Sequence, residues 1–272
     1  MSSRHFHRTP LMSATSAGTY LRRFRQQAGL SQLDLSLIAG ISQRHLSCIE
    51  TGRAKASPTT LHALLSVLDV PLEQCNEVFL AAGYAPRYAT SSLDAQPMAM
   101  VHGAIDHILQ ANNPAPAIVL TSNWDIVAAN ASAGLLLGML GVPVIGDSGI
   151  NLLETLLRPG GLGDHLVNAA EVRAIAWQRA RREAVNNSDL ARLLRDIPSP
   201  MGPSIGVDSS PVALTRIRST WGELAFLSTF TTFGMPLDIT VASLRIEHLI
   251  PADSQTWQTM TTLYEQSLTV RD

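Results

Sequence analysis

The segment LSQLDLSLIAGISQRHLSCIETGR, Leu30 to Arg53, decides how the chain is read. Ser31 stands where a helix N-cap belongs, with Asp34 three residues on, so a helix is expected from Ser31 to Gly40. Gly40-Ile41-Ser42 makes a tight turn, and Ser42 caps a second helix that reaches Glu50 or Thr51. Two helices crossing steeply at a short turn need small or apolar residues where they touch and a glycine in the turn. Leu35, Ser36 and Ala39 supply that surface on the first helix; Ile41, Leu46 and Ile49 supply it on the second. What remains outward on the second helix is Gln43, Arg44, Ser47 and Cys48, a set with polar reach near the helix start.

Working outward, Thr19 to Ala28 has helical spacing at Leu21, Phe24 and Gln27, and Gly29 is placed to end it. Ser57-Pro58 is a cap followed by proline at the first helical position, opening Thr59 to Leu68. Pro71 to Ala82 gives a further helix, ending at Gly83. The expectation is an all-α five-helix domain over residues 19–84, preceded by a disordered arm over 1–18 and followed by a linker over 85–97. The arm, with Arg4, His5, His7, Arg8 and Pro10, lacks the apolar core of a secretion signal. Residues 1–90 carry nine Arg/Lys against five Asp/Glu, and residues 91–272 eleven against seventeen. A basic small domain beside an acidic larger one suits a polyanion binder whose second half stays off the polyanion.

Residues 19–83 resemble the phage-repressor (XRE) helix-turn-helix family across all five helices. The resemblance implies that the second helix of the motif, capped by Ser42, lies in the major groove of double-stranded operator DNA. Carried over by position, Gln43 and Arg44 read base edges first, since Arg favours guanine and Gln adenine in bidentate geometry. Ser47 and Cys48 come one turn deeper, although Cys48 departs from the longer polar or aromatic residue usual there. Gln32 matches the family's phosphate-contacting glutamine, and Arg53 and Lys55 fall in the loop after the motif, placed for phosphate contact. The positions of Arg25 and Glu50 pair inside the domain in that family, so both are read as structural. One short helix covers few base pairs, so a homodimer on two half-sites is expected. Two cysteines, Cys48 and Cys75, are too few for a disulfide framework and fit a cytoplasmic location; no metal site and no cofactor are expected.

Past the linker, Met98 to Asn112 is an amphipathic helix with Val101, Ile105, Ile108 and Leu109 on one side. Ala117 to Leu120 and Ile126 to Ala129, separated by Ser122 to Asp125, read as a hairpin, with a helix from Asn130 to Gly138. Residues 152–195 read as helical, and Pro198 to Pro203 as a loop. Val212 to Arg218, Leu224 to Thr232 and Ile239 to Leu249 are strand-like, the first two separated by a turn at Trp221-Gly222. Leu224, Phe226, Ser228 and Phe230 share one face at period two. The hairpin with Asn123-Trp124-Asp125 and Ala128-Ala129-Asn130-Ala131 resembles the opening of PAS-like sensor domains.

More narrowly, the whole chain resembles the bacterial MmyB-like regulators. The match is carried by Ser42 to Ser47, Ala81 to Pro86, Asn151-Leu152-Leu153, Arg158 to Leu162, Val167-Asn168, Phe233-Gly234 and Leu237-Asp238. It implies an α+β PAS-like ligand-binding and regulatory domain over 98–272, taking an apolar small-molecule effector such as a fatty acid. Candidate ligand residues are Trp124, Leu224, Phe226, Phe230 and Phe233, with Asn130 or Arg216 as polar anchor; aromatics at such spacing also serve as ordinary core. A ligand-responsive transcriptional repressor is the expected function. The rivals are an antitoxin whose second half binds a protein partner, and an enzyme with an accessory DNA-binding domain. Against the enzyme, Glu247-His248 are adjacent on a strand and point to opposite faces. No nucleophile elbow, phosphate loop or dinucleotide fingerprint appears, and no apolar run is long enough for a membrane span.

Overall fold

The computed structural model describes residues 16–142, 149–185, 187–200 and 212–269. It divides into two compact units, Met1–Thr90 with Leu237–Ile239, and Ser91–Pro236 with Thr240–Asp272.

The first unit carries α1 (Ala17–Gln27), α2 (Gln32–Ile38), α3 (Gln43–Glu50), α4 (Pro58–Val67) and α5 (Leu72–Ala81). Ser16, Ser31, Ser42 and Ser57 each accept a hydrogen bond from the backbone N–H three residues on, which satisfies a donor the helix start would leave open. Asp34 completes the reciprocal box by accepting from the Ser31 N–H at 3.1 Å. Leu21, Leu35, Leu46, Leu61, Leu64 and Val78 are fully enclosed at the centre. α1 crosses α3 at Gly18, where a Cβ would sit 2.3 Å from the carbonyl oxygen of Ile49; glycine alone permits that approach.

Two boundaries differ from the sequence reading. α1 opens at Ala17, inside the stretch read as an arm, because Ser16 caps it; residues 1–15 of that arm lie outside the described residues. The start of the linker is tied down as well. Asn76 on α5 accepts from the Arg87 and Tyr88 N–H groups and donates to the Tyr88 carbonyl, and the Tyr84 hydroxyl donates to the Ala56 carbonyl.

The second unit begins with a 3-10 turn at Gln96–Met98 and continues through α6 (Ala99–Asn112), β1 (Ala117–Leu120), β2 (Asp125–Ala129), α7 (Ala131–Met139) and β3 (Ile150–Asn151). Then come α8 (Leu152–Leu157), a 3-10 turn at Leu162–His165, α9 (Ala169–Glu183), α10 (Ser188–Asp196), β4 (Leu214–Ser219) and β5 (Gly222–Thr232). The unit closes with α11 (Ile239–Ser243), β6 (Arg245–Pro251) and α12 (Ser254–Thr269). Among the described residues the strands form one antiparallel sheet in the order β3-β2-β1-β6-β5-β4.

Strand alternation separates two hydrophobic layers. Ile118, Leu120, Leu224 and Phe226 point into the larger one, with Ala133, Leu136, Leu153, Ala176, Leu190 and Met260 from the helices. Ala117, Val119 and Ile246 point the other way, against Ile105 and Leu109 of α6. This is the all-α domain followed by an α+β domain that the sequence implied.

Three element readings are corrected. Ile239 to Leu249 is not one strand: α11 occupies its first half and β6 begins at Arg245. The continuous helical reading of 152–195 breaks at Pro159-Gly160-Gly161, since proline and a left-handed Gly160 end α8. α12, unread in the sequence, packs Met260 into the larger core. The loop read over Pro198 to Pro203 falls partly outside the described residues.

Candidate DNA interface and ligand cavity

In the first unit α2 and α3 meet across Gly40, which adopts φ +69°, a left-handed turn that glycine accepts without Cβ strain. Leu46, Ile49 and Glu50 are the buried residues of α3. Ser42, Gln43 and Arg44 are exposed, and Ser47 and Cys48 half-buried. Arg53 is exposed beyond the helix; Lys55 is exposed too, with its ammonium 4.3 Å from the Tyr84 ring centroid. Gln32, read as a phosphate contact, donates its amide to Glu50 Oε2 at 2.8 Å.

Glu50 also accepts from Arg25 Nε at 2.7 Å and Nη2 at 3.0 Å, while Arg25 Nη1 donates to the Leu30 carbonyl. Burial pushes the Glu50 carboxyl upward, but the hydrogen bonds from Arg25 and Gln32 and the charge of Arg25 prevail and hold it below its ordinary value. The pair clamps the C-terminus of the exposed helix to α1. Cys75 is core: burial pushes its thiol up to about 11.

In the second unit a cavity of about 180 Å³ lies between the larger sheet face and the helices. Its walls are apolar, with Ile118, Leu136, Leu156 and Ala176 among them. The charged lining groups are Arg179 and Glu247, with Ser228 and Thr215 as neutral polar ones. Across the sheet, Ile118 pairs with Glu247 and Glu247 with Phe230, so this row crosses the cavity wall. The next row pairs Leu120 with Arg245 and Arg245 with Thr232.

At this end α9 projects two charges, Arg179 and Glu183. Glu183 accepts from Arg179 Nε at 2.8 Å, from Trp124 Nε1 at 2.7 Å and from Arg245 Nη1 at 3.2 Å. The Arg179 guanidinium lies 3.9 Å from the Phe230 centroid, and that of Arg245 lies 4.7 Å from the Trp124 centroid. Trp124 holds φ +71°, an uncommon conformation for a bulky residue, and its backbone N–H donates to the Thr121 carbonyl. Glu247 keeps some accessible surface because it faces the cavity, yet protein surrounds it, and this burial raises its carboxyl above the ordinary range against the pull of Ser228, Arg179 and Arg245. His248 faces the opposite way, contacting Asn112 Oδ1 and the Thr231 hydroxyl.

Of the ligand residues read from the sequence, Trp124 and Phe230 line the cavity. Leu224 and Phe226 share their strand face but are sealed in the core beside it. Phe233 packs in the smaller layer near α6. Asn130 is corrected as an anchor: it caps α7, accepts from the Ala117 and Ala133 N–H groups and donates to the Leu109 and Ala115 carbonyls. Arg216 is likewise corrected, being half-exposed on the edge strand and paired with Glu223 at 2.6 Å. The charged groups that line the cavity, Arg179 and Glu247, were not read as ligand contacts, nor was Arg245, one strand row beyond the lining. The signal was Arg245, Glu247 and Leu249 at period two within an apolar run, which places two charges on an inward face.

A helix-turn-helix unit with an exposed polar face on its second helix, joined in one chain to a sheet unit with an apolar-walled cavity, defines the class of DNA-binding transcription regulators with a ligand-binding domain. Residues 21–75 match the helix-turn-helix family model, and residues 101–263, more than half of the chain, match the MmyB-like transcription regulator ligand binding domain. The chain belongs to the MmyB-like family of transcription regulators.

Among solved structures the chain is similar to the restriction-modification controller protein C.AhdI from Aeromonas hydrophila, with 28% identity over 23% of this chain and 91% of that one, at a TM-score of 0.21. It is also similar to an RNA-binding light-oxygen-voltage receptor, with 15% identity over 94% of this chain and 63% of that one, at a TM-score of 0.27. No curated protein matches the chain. Among the described residues no helix is long and apolar enough to cross a membrane, and no group of three or more His, Cys, Asp or Glu is arranged to hold a metal ion.

Proposed function

We propose that the protein is a cytoplasmic repressor that binds operator DNA as a homodimer and changes its affinity when an apolar small molecule, such as a fatty acid, fills the cavity of the second unit. The observation that carries this reading is the pairing, in one chain, of an exposed Ser42-Gln43-Arg44 edge with a partly open, apolar-walled cavity. Gln43 and Arg44 contact base edges; Ser42, Ser47 and Cys48 face the groove walls and deeper positions. Arg53 and Lys55 neutralise phosphates, and Gln32 offers what its amide retains beyond the bond to Glu50. Trp124 and Phe230 contact the effector's apolar body.

A ligand shifts DNA affinity only through different affinities for the two states, typically about 1–3 kcal/mol. Native mass spectrometry of the purified chain tests the effector: a copurified lipid-like molecule is expected, and a clean unliganded mass with no thermal stabilisation by any fatty acid counts against it. Expression from a bound promoter in cells lacking the protein tests the sign. Repression predicts a rise; a fall would make the protein an activator.

A further inference from the structure

The fold uses one face of α12 and leaves a second with apolar side chains in the open. Thr256, Thr259 and Met260 are its buried residues, and Leu263 packs against the larger core on the same side. Trp257, Thr261, Tyr264 and Leu268 recur at steps of four, three and four, so they form a separate stripe along the helix. Trp257 and Leu268 are each 47% exposed, and Thr261 and Tyr264 are half-buried.

That spacing is the spacing of a seam between two helices, where apolar side chains repeat about every 3.5 residues. Mid-stripe, the Thr261 hydroxyl donates to the Trp257 carbonyl at 2.9 Å, so covering the stripe strands no donor there. At the start of α12, a Cβ on Gly222 would lie 3.3 Å from the Gln255 side-chain nitrogen. The β4–β5 hairpin tip, with exposed Trp221, therefore adjoins the helix at the end where Trp257 stands.

Charge identifies the occupant. Residues 91–272 carry eleven Arg/Lys against seventeen Asp/Glu, whereas Ser254 to Thr269 carries a single charge, Glu265. Two copies of a negatively charged unit repel over most of their surface and can meet on a neutral face. A charged foreign partner would be matched by opposite charge, which this face lacks. An anionic lipid surface would be matched by Lys or Arg on the helix, and α12 has neither. A second copy brings an identical neutral stripe, which a two-fold axis makes self-complementary.

We infer that the protein dimerises through α12, the Trp257, Thr261, Tyr264 and Leu268 stripe of one copy packing on the same stripe of the other. The inference rests on the reading of the protein as a homodimer and names the surface that makes it.

Sedimentation velocity of the full chain over a range of concentrations tests this. The unmodified protein is expected to be a dimer. Trp257→Glu and Leu268→Glu, made separately, are each expected to raise the dimer dissociation constant at least about tenfold. Thr262→Glu, exposed on the same helix but off the stripe, is expected to leave the dimer intact. Should a Glu variant lose its circular dichroism signal, cross-linking replaces it. With Cys48→Ser removing the competing half-buried thiol, Thr261→Cys is expected to form a disulfide with its mate under mild oxidant, and Thr262→Cys is not. A dimer undisturbed by both Glu substitutions, or no cross-link at Thr261→Cys, overturns the α12 interface and leaves the homodimer reading standing. A monomer at every concentration overturns both.

Discussion

Glu50 illustrates what single residues contribute. It is buried beside Ile49 and Leu46, where a charge is unfavourable, and it stays ionised because Arg25 and Gln32 converge on it. Removing one partner of a buried pair typically costs about 3–5 kcal/mol, so Arg25→Ala should lower the unfolding free energy of the first unit by about that much, read as a fall in its urea midpoint, and loosen α3. The Glu50 carboxyl is held lower in the fold than in the unfolded chain. Its contribution is therefore present above the unfolded-state value and lost as pH falls through the lower folded value. Acid titration followed by circular dichroism should show the first unit of Glu50→Gln, already weakened at neutral pH, losing less stability than the parent.

Glu247 acts in the opposite sense. Its carboxyl is raised by burial, so it is neutral over a wider range, faced by Arg179 from α9, Arg245 on its own strand, and Ser228 from β5. As pH rises through its elevated value it ionises and repels a bound carboxylate. Affinity for a fatty-acid probe such as octanoate is expected to fall over that interval while affinity for the uncharged 1-octanol does not. Parallel pH profiles for the two ligands would contradict this role.

Elements whose ends are written in local chemistry were legible. Ser31 with Asp34, Ser42, and Ser57 before Pro58 mark helix starts by hydrogen bonds made within three residues, and the structure uses each of them. β6 was not legible as such, because Ile239 to Ser243 and Arg245 to Leu249 are both apolar enough to suit a strand. Tertiary context, with β6 filling the centre of the sheet between β1 and β5, decides between them. Close approach is equally invisible locally. Gly18 looks like an ordinary helix residue, yet Gly18→Ala would force a methyl against the Ile49 carbonyl. Overpacking of this kind costs about 1–3 kcal/mol, to be read as a lowered denaturation midpoint. At the level of α3, Arg44→Ala should relax preference at one base pair, whereas Arg53→Ala should weaken all sequences alike and reduce the salt slope. Indiscriminate loss in both would undo the division between base and phosphate contacts.

For the whole molecule, the charge split between the two halves and the two resemblances were enough to anticipate a DNA-binding unit and a sensor unit. The identity of the cavity wall was not. Strand parity tells which residues share a face, and Leu224, Phe226 and Phe230 do, but not where along that face helices leave a gap. That depends on α9 crossing from the other side of the sequence to bring Arg179 and Glu183 against Trp124. Filling the gap from the helix side should separate packing from sensing. Ala176→Leu is expected to reduce octanoate affinity more than tenfold at a stability change of about 1–3 kcal/mol, measured by calorimetry and thermal melting.

The central claim is that the exposed edge beginning at Ser42 reads duplex DNA. Selection of randomised duplexes by the purified full chain, run beside Arg44→Ala, tests it most directly. The account predicts an enriched sequence of two related half-sites about 34–36 Å apart, with preference lost at one position of each half-site in the variant. No enrichment at low ionic strength, or an identical motif from both proteins, would contradict it.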